Sequence, residues 1–104
     1  RFGLLFLNQG KWEGKQIVSE RWIEQVQQPT QANESYGYMW WLNRGDRQWN
    51  QVTDESIYYA AGFGGNYIVI DQTQDMLVVT RWLEPSQLGE MMRLIREACS
   101  TAKA

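Results

Sequence analysis

The chain has 104 residues, 43% hydrophobic and 21% charged, with a formal net charge of −2, so it holds one domain at most and has the composition of an ordinary globular protein. Three lysines and no basic run leave it without the electrostatic footprint of a nucleic-acid binder, and no apolar run approaches the ~20 residues of a membrane-spanning helix. There is no histidine and Cys99 is the single cysteine, which removes Ser-His-Asp and Cys-His catalysis, histidine-ligated metals and an internal disulfide from these residues.

Thirteen per cent of the chain is aromatic, including six tryptophans and five tyrosines. That much ring surface implies an aromatic core, or an interface that a partner covers. The chain opens on Arg1 and runs directly into apolar residues, so it is expected to be a piece of a longer polypeptide.

Phe2 to Leu7 reads as the tail of a helix, stopped by Asn8-Gln9-Gly10. Lys11 to Lys15 is a turn and Gln16 to Val18 is extended. Ser19 is an N-cap, with Glu20 in the first turn where the helix dipole favours negative charge. Trp22, Ile23 and Val26 share one face of that helix, which Pro29 ends. Tyr36 to Asn43 reads as a strand apolar on both faces, with Tyr36, Tyr38, Trp40 and Leu42 on one side and Met39 and Trp41 on the other. Arg44 to Arg47 is a turn; its Arg-Gly-Asp tripeptide is short enough to arise by chance. Gln48 to Ser56 is polar, with Trp49 as a lone anchor.

Tyr58 to Trp82 is the most ordered stretch by pattern. A strand leads into the glycine crook Gly62-Phe63-Gly64-Gly65. Asn66 to Ile70 and Met76 to Trp82 then form an antiparallel hairpin across a five-residue loop. Ile68 and Ile70 face one way, Tyr67 and Val69 the other. On the second strand Leu77, Val79 and Arg81 oppose Met76, Val78, Thr80 and Trp82. Pro85-Ser86 opens a last helix whose apolar stripe is Leu88, Met91, Met92, Ile95 and Cys99. Arg93, Arg96 and Glu97 fall off that stripe.

Few residues offer chemistry. Ser100-Thr101-Ala102-Lys103 has the spacing of a Ser-x-x-Lys nucleophile-and-base pair, but at a helix end without the oxyanion donors such a serine needs. The glycine crook permits close approach of another backbone or a ligand; its structural alternative is a bulge or strand entry requiring positive φ. No lysine with serine or threonine follows the glycines, so a phosphate loop is not expected. Asp54 and Glu55 would face opposite ways on a strand, and Asp71 and Asp75 flank a hairpin loop as ordinary turn residues. No metal or other cofactor is implied.

In combination these stretches resemble the C-terminal part of the serine β-lactamase-like family, the group of class C β-lactamases, D-alanyl-D-alanine carboxypeptidases, esterases and aminohexanoate-oligomer hydrolases. Arg1 to Pro29, with its Gly10-Lys11-Trp12-Glu13-Gly14-Lys15-Gln16-Ile17 turn, resembles the family's helix, turn and helix. Tyr36 to Asn43 resembles its aromatic strand, and Tyr58 to Trp82 its third-motif strand and the two beside it. The resemblance places Phe63, Gly64 and Gly65 where the family carries Lys-Thr-Gly or a His-x-Gly variant. It makes the backbone N–H of Asn66 the counterpart of an oxyanion donor. Phe63 is not cationic, which departs from the pattern. The family's Ser-x-x-Lys and Tyr-x-Asn motifs lie well N-terminal of this region, and no Tyr-x-Asn occurs here.

The expected fold is therefore α+β and a partial β-lactamase-like fold. An antiparallel sheet of three to four strands carries a C-terminal amphipathic helix packed on it and short N-terminal helices. Residues 1–104 form one C-terminal fragment, with a helical part over 1–35, strands over 36–82 and the last helix over 85–101. The implied function is one wall of a serine hydrolase that cleaves amides or esters through an acyl-serine. No catalytic residue lies in the chain itself, which is expected to be inactive alone. The alternative is a non-catalytic binding module derived from the fold. The expected partners are the missing N-terminal part of the parent and a second copy, joined through an exposed strand edge or aromatic surface. Family members are periplasmic, secreted or cytoplasmic bacterial proteins, which leaves the compartment open.

Overall fold

A computed structural model describes residues 1–103, with side chains as far as Ser100. Helix α1 (Phe2–Leu7) stops where expected: Gln9 and Gly10 take φ of 59° and 86°, and the Gly10 N–H closes on the Leu5 carbonyl at 2.8 Å. The next turn is more ordered than its sequence suggests. Strand β1 (Lys11–Trp12) pairs with β2 (Lys15–Gln16), and both turn residues, Glu13 and Gly14, have the positive φ of a two-residue hairpin turn. Helix α2 (Glu20–Val26) is capped by Ser19, whose side chain accepts from the Trp22 N–H at 3.1 Å. Ile23 and Val26 are buried, but Trp22 turns outward and stacks on Tyr38 with ring centroids 5.6 Å apart.

The stretch from Tyr36 to Asn43 is not one continuous strand. Gly37 lies against the end of α2, where a Cβ would fall 1.8 Å from the Val26 carbonyl oxygen, and the Tyr38 N–H donates to that same oxygen. Held there, the chain reverses: the Gly37 N–H reaches the Trp40 carbonyl at 2.8 Å and Met39 has a φ of 71°. Only Trp41–Leu42 remains as strand β3, and Tyr38 and Met39 face solvent instead of a second layer. The polar segment that follows is organised by Asn43, which is fully buried. Its Nδ2 donates to the Val52 and Asp54 carbonyls and its Oδ1 accepts from the Trp49 N–H. Trp49 then stacks on Tyr59, as an anchor should. Gly45 and Asp46 of the Arg-Gly-Asp tripeptide sit in a 3₁₀ turn, Gly45–Arg47, which extended Arg44 precedes, and the Arg47 guanidinium lies 4.4 Å over the Trp41 ring.

Strands β4 (Tyr58–Gly62), β5 (Asn66–Asp71) and β6 (Met76–Thr80) complete an antiparallel sheet in the order β3-β4-β5-β6. The side-chain alternation matches expectation. Ile68, Ile70 and Leu77 join Phe6, Ile23, Val26, Trp40, Leu42 and Tyr58 on the face covered by α1 and α2. Tyr67, Val69, Met76 and Val78 join Tyr59, Leu88 and Met92 on the face covered by helix α3 (Leu88–Lys103). Strand β6 is shorter than its apolar run, because Trp82 adopts a φ of 57° and turns the chain away. A 3₁₀ turn, Pro85–Gln87, then leads into α3.

Helix α3 departs from its sequence pattern at two positions. Met91 is 37% exposed at the margin of the stripe. Arg96, expected off the stripe, turns inward across the end of the sheet. Its Nε donates to Asp71 Oδ2 at 2.6 Å, and its Nη2 donates to Asp71 Oδ1 at 2.8 Å and to Asp54 Oδ2 at 2.7 Å. Asp71 is fully buried, and its carboxylate is met by the fork of one guanidinium on both oxygens and by the Gln74 N–H on Oδ1. Desolvation raises the Asp54 pKa, but hydrogen bonds from Ser56, Arg96 and Thr73 outweigh it and hold the carboxyl well below the usual carboxylate range.

Replacing Arg96 with alanine strands a buried carboxylate and is expected to cost about 3 kcal/mol in urea unfolding. Because the folded Asp54 pKa is depressed, its contribution is complete above the unfolded value and is lost as pH falls through the folded one. Stability should therefore decline below about pH 4. The decline should be shallower in Asp54→Asn, measured by thermal melts across that acid limb.

Candidate functional site

The glycine crook joins β4 to β5 as the three-residue loop Phe63-Gly64-Gly65, closed by the pair Gly62↔Asn66. Gly64 and Gly65 take φ of 89° and 77°. The positive-φ strand entry is thus its local geometry. Close approach accounts for the glycines as well. A Cβ on Gly65 would lie 1.7 Å from the Leu83 carbonyl oxygen, and one on Gly64 would lie 2.4 Å from the Trp82 ring.

The crook is held from the far end of β6. The Leu83 N–H donates to the Gly65 carbonyl at 3.1 Å, and the Thr80 hydroxyl donates to the same oxygen at 3.1 Å while accepting from the Tyr67 N–H at 3.2 Å. Asn66 begins β5 and folds back, its Nδ2 donating to the Phe63 carbonyl at 2.8 Å. The Asn66 Oδ1 is buried and has no partner, which leaves a spare acceptor at the crook. Phe63 is 99% exposed, and Trp82, beside Gly64, is 77% exposed. Thus Phe63, Gly64 and Gly65 lie on one side of a groove whose other side is Trp82 to Pro85, whereas Asn66 lines a different groove. On the α1 side of the sheet a second groove crosses the same end of β4, β5 and β6, lined by Ala60, Gly62, Ile68 and Val79 among others.

The other candidates are dispersed. Ser100 is exposed near the end of α3, far along the helix from the crook; the side chains of Thr101 and Lys103 lie outside the described residues. Asp54 does not meet Glu55 in a shared site but meets Asp71 on Arg96. That cluster escaped the sequence reading because its members are far apart in the chain, and its signal was an arginine next to the buried stripe of an amphipathic helix. Its carboxylates are already neutralised, so it is a structural clamp.

Gly65→Ala combines a left-handed φ with a backbone clash and is expected to lose more than ~2 kcal/mol of stability. Phe63→Ala removes a ring that touches little and should stay within ~0.5 kcal/mol of the parent. Parallel urea denaturation of the two variants checks both.

No family model and no curated protein matches this sequence. A solved structure described as "Putative 6-aminohexanoate-dimer hydrolase from Bacillus anthracis" is similar over 98% of this chain, with 21% identity and a TM-score of 0.64. The chain spans only 28% of that protein's length. The likeness is one of fold: a four-stranded antiparallel sheet, a C-terminal helix and short N-terminal helices make up part of a β-lactamase-like fold.

Proposed function

We propose that this chain is the C-terminal portion of a serine hydrolase of the β-lactamase-like family, acting on an amide or ester through an acyl-serine. The observation that carries the reading is the fold match over 98% of the chain, joined to a rigid glycine crook at the point where the family resemblance puts its third motif. The parts have separate roles. Gly64 and Gly65 let the loop close against Trp82 and Leu83, which fixes the position of the crook. The Asn66 N–H is the oxyanion donor, a role that a backbone group retains whatever side chains surround it. Phe63 replaces a cation with an apolar surface, which favours an uncharged substrate segment over a carboxylate. The nucleophile and its base come from polypeptide N-terminal to these residues, so the chain supplies one wall of the site.

Chemistry sets the order of events for the whole enzyme. The serine oxygen attacks the carbonyl carbon and its proton passes to the base. Charge then gathers on the carbonyl oxygen and is met by the Asn66 N–H. The amine or alcohol leaves with a proton, and water repeats the attack on the acyl-serine. A rigid crook suits this work, because a preorganised donor needs no reorganisation as the charge develops.

A second reading, a binding module that retains the sheet without chemistry, is favoured by one feature, the solvent-facing Phe63 in place of a cation. The two readings differ upstream of Arg1. The hydrolase reading expects Ser-x-x-Lys followed by Tyr-x-Asn in the gene sequence there; a preceding reading frame without them would overturn it. The 104-residue chain alone should show no turnover of nitrocefin or p-nitrophenyl esters above buffer. Turnover that survives Ser100→Ala would place the catalytic groups within this chain and sink the partial-site assignment.

A further inference from the structure

Four aromatic rings from separate parts of the chain meet around one cavity on the α3 side of the sheet. They are Trp41 of β3, Trp49 of the polar segment, Tyr59 of β4 and Tyr67 of β5, and Leu88 at the start of α3 lines the cavity with them. The rings fix one another: Trp49 stacks on Tyr59 with centroids 5.3 Å apart, and Tyr59 meets Tyr67 edge-on at 6.1 Å. They nonetheless leave about 270 Å³ open, where a closed core would be packed to crystal density. Every wall belongs to β3, β4, β5, the loops beside them or the start of α3. Strand β6 contributes none, so the cavity does not depend on how the sheet continues beyond it. It is also more enclosed than either groove beside the crook.

One wall is charged. The Arg47 guanidinium lies over the Trp41 ring and has neither an ion-pair nor a hydrogen-bond partner among the described residues. No carboxylate among those residues lines the cavity. The charge is felt inside it: burial raises the pKa of the Tyr59 and Tyr67 hydroxyls, and the positive field of Arg47 opposes that rise at both. Glu84 acts on Tyr67 in the other sense but lines the neighbouring groove. A guanidinium on an aromatic face keeps its planar N–H fork free, and that fork matches a carboxylate in shape and charge. We propose that this cavity is a binding site for a small aromatic carboxylate, whose ring lies against Trp41, Trp49, Tyr59 and Tyr67 and whose carboxylate meets Arg47. A volume of about 270 Å³ is below that of sites for drug-sized ligands, which limits the occupant to a single ring or its equivalent. The binding does not rest on the hydrolase reading. Any part it plays in hydrolysis does, through Tyr67 and Pro85, which the cavity shares with the groove at the crook.

Benzoate at pH 7 is the probe. Titrated into the 104-residue chain, it should change tryptophan fluorescence saturably with a dissociation constant of about 1 mM, the strength expected of so small a ligand. In nitrogen–proton correlation spectra the indole N–H signals of Trp41 and Trp49 and the amides of Tyr59 and Tyr67 should move together. Benzamide has the same shape without the charge and should bind about tenfold more weakly. Arg47→Gln should weaken benzoate by a similar factor and leave benzamide unchanged. Arg47 is exposed, so circular dichroism should find that variant folded. Equal affinity for benzoate and benzamide, or benzoate binding indifferent to Arg47→Gln, overturns the proposal, because the charge then plays no part. No saturation at about tenfold the expected constant, or shifts confined to residues outside the cavity, also overturns it and leaves the four rings as core packing.

Discussion

Strand β5 is buried on both faces, and the rest of the structure depends on that burial. Val69 and Ile70 are adjacent, point opposite ways and are both fully inaccessible. Each belongs to a different core cluster, so the strand can be satisfied only when α1 and α2 cover one side and α3 the other. Burying one such side chain contributes ~1.5–3 kcal/mol, and the alternation places several on each side. The same strand ends in Asp71, a fully buried carboxylate. Arg96 answers that charge, and through Asp54 it also ties down the polar segment that Asn43 gathers. The helix is thereby fixed by packing along its length and by charge at one point.

That frame explains why the crook is rigid although it consists mostly of glycine. Glycine loops are mobile when nothing closes on them. Here the Thr80 hydroxyl and the Leu83 N–H hold the Gly65 carbonyl, and the Trp82 ring lies against Gly64. The strand that presents the loop is buried on both faces, so its position is set by the whole sheet. A loop of this kind can hold an N–H donor in place for catalysis or offer a fixed apolar edge to a ligand. The proposed hydrolase role uses the first property; the exposed Phe63 is an instance of the second.

The extent of the match to a longer protein gives the molecule a particular character. A chain that spans 28% of a similar structure nonetheless closes two core clusters of its own. It does so with surface left over: Phe2, Trp22, Tyr38, Met39, Val79 and Trp82 are all substantially exposed. Apolar exposure on this scale is typical of surfaces that meet something else.

The sequence by itself determined whatever depends on local chemistry and period. The alternation in β5 and β6, the Ser19 cap, the stop at Gly10, the α3 stripe and the positive φ of the crook all follow from neighbours within a few residues, whose geometry the chain imposes directly. The tertiary structure decided what depends on distant neighbours. Tyr36 to Asn43 has the composition of a strand, yet contact with the end of α2 through Gly37 folds it back and exposes Tyr38 and Met39. Asn43 read as the last residue of that strand, and burial makes it the hub of the loop that follows. Arg96 lay one position from the apolar stripe, and only the approach of Asp54 and Asp71, 42 and 25 residues away in the chain, turned it inward. A charge is buried only where its counter-charges converge, and that convergence is a property of the fold, which no single segment contains.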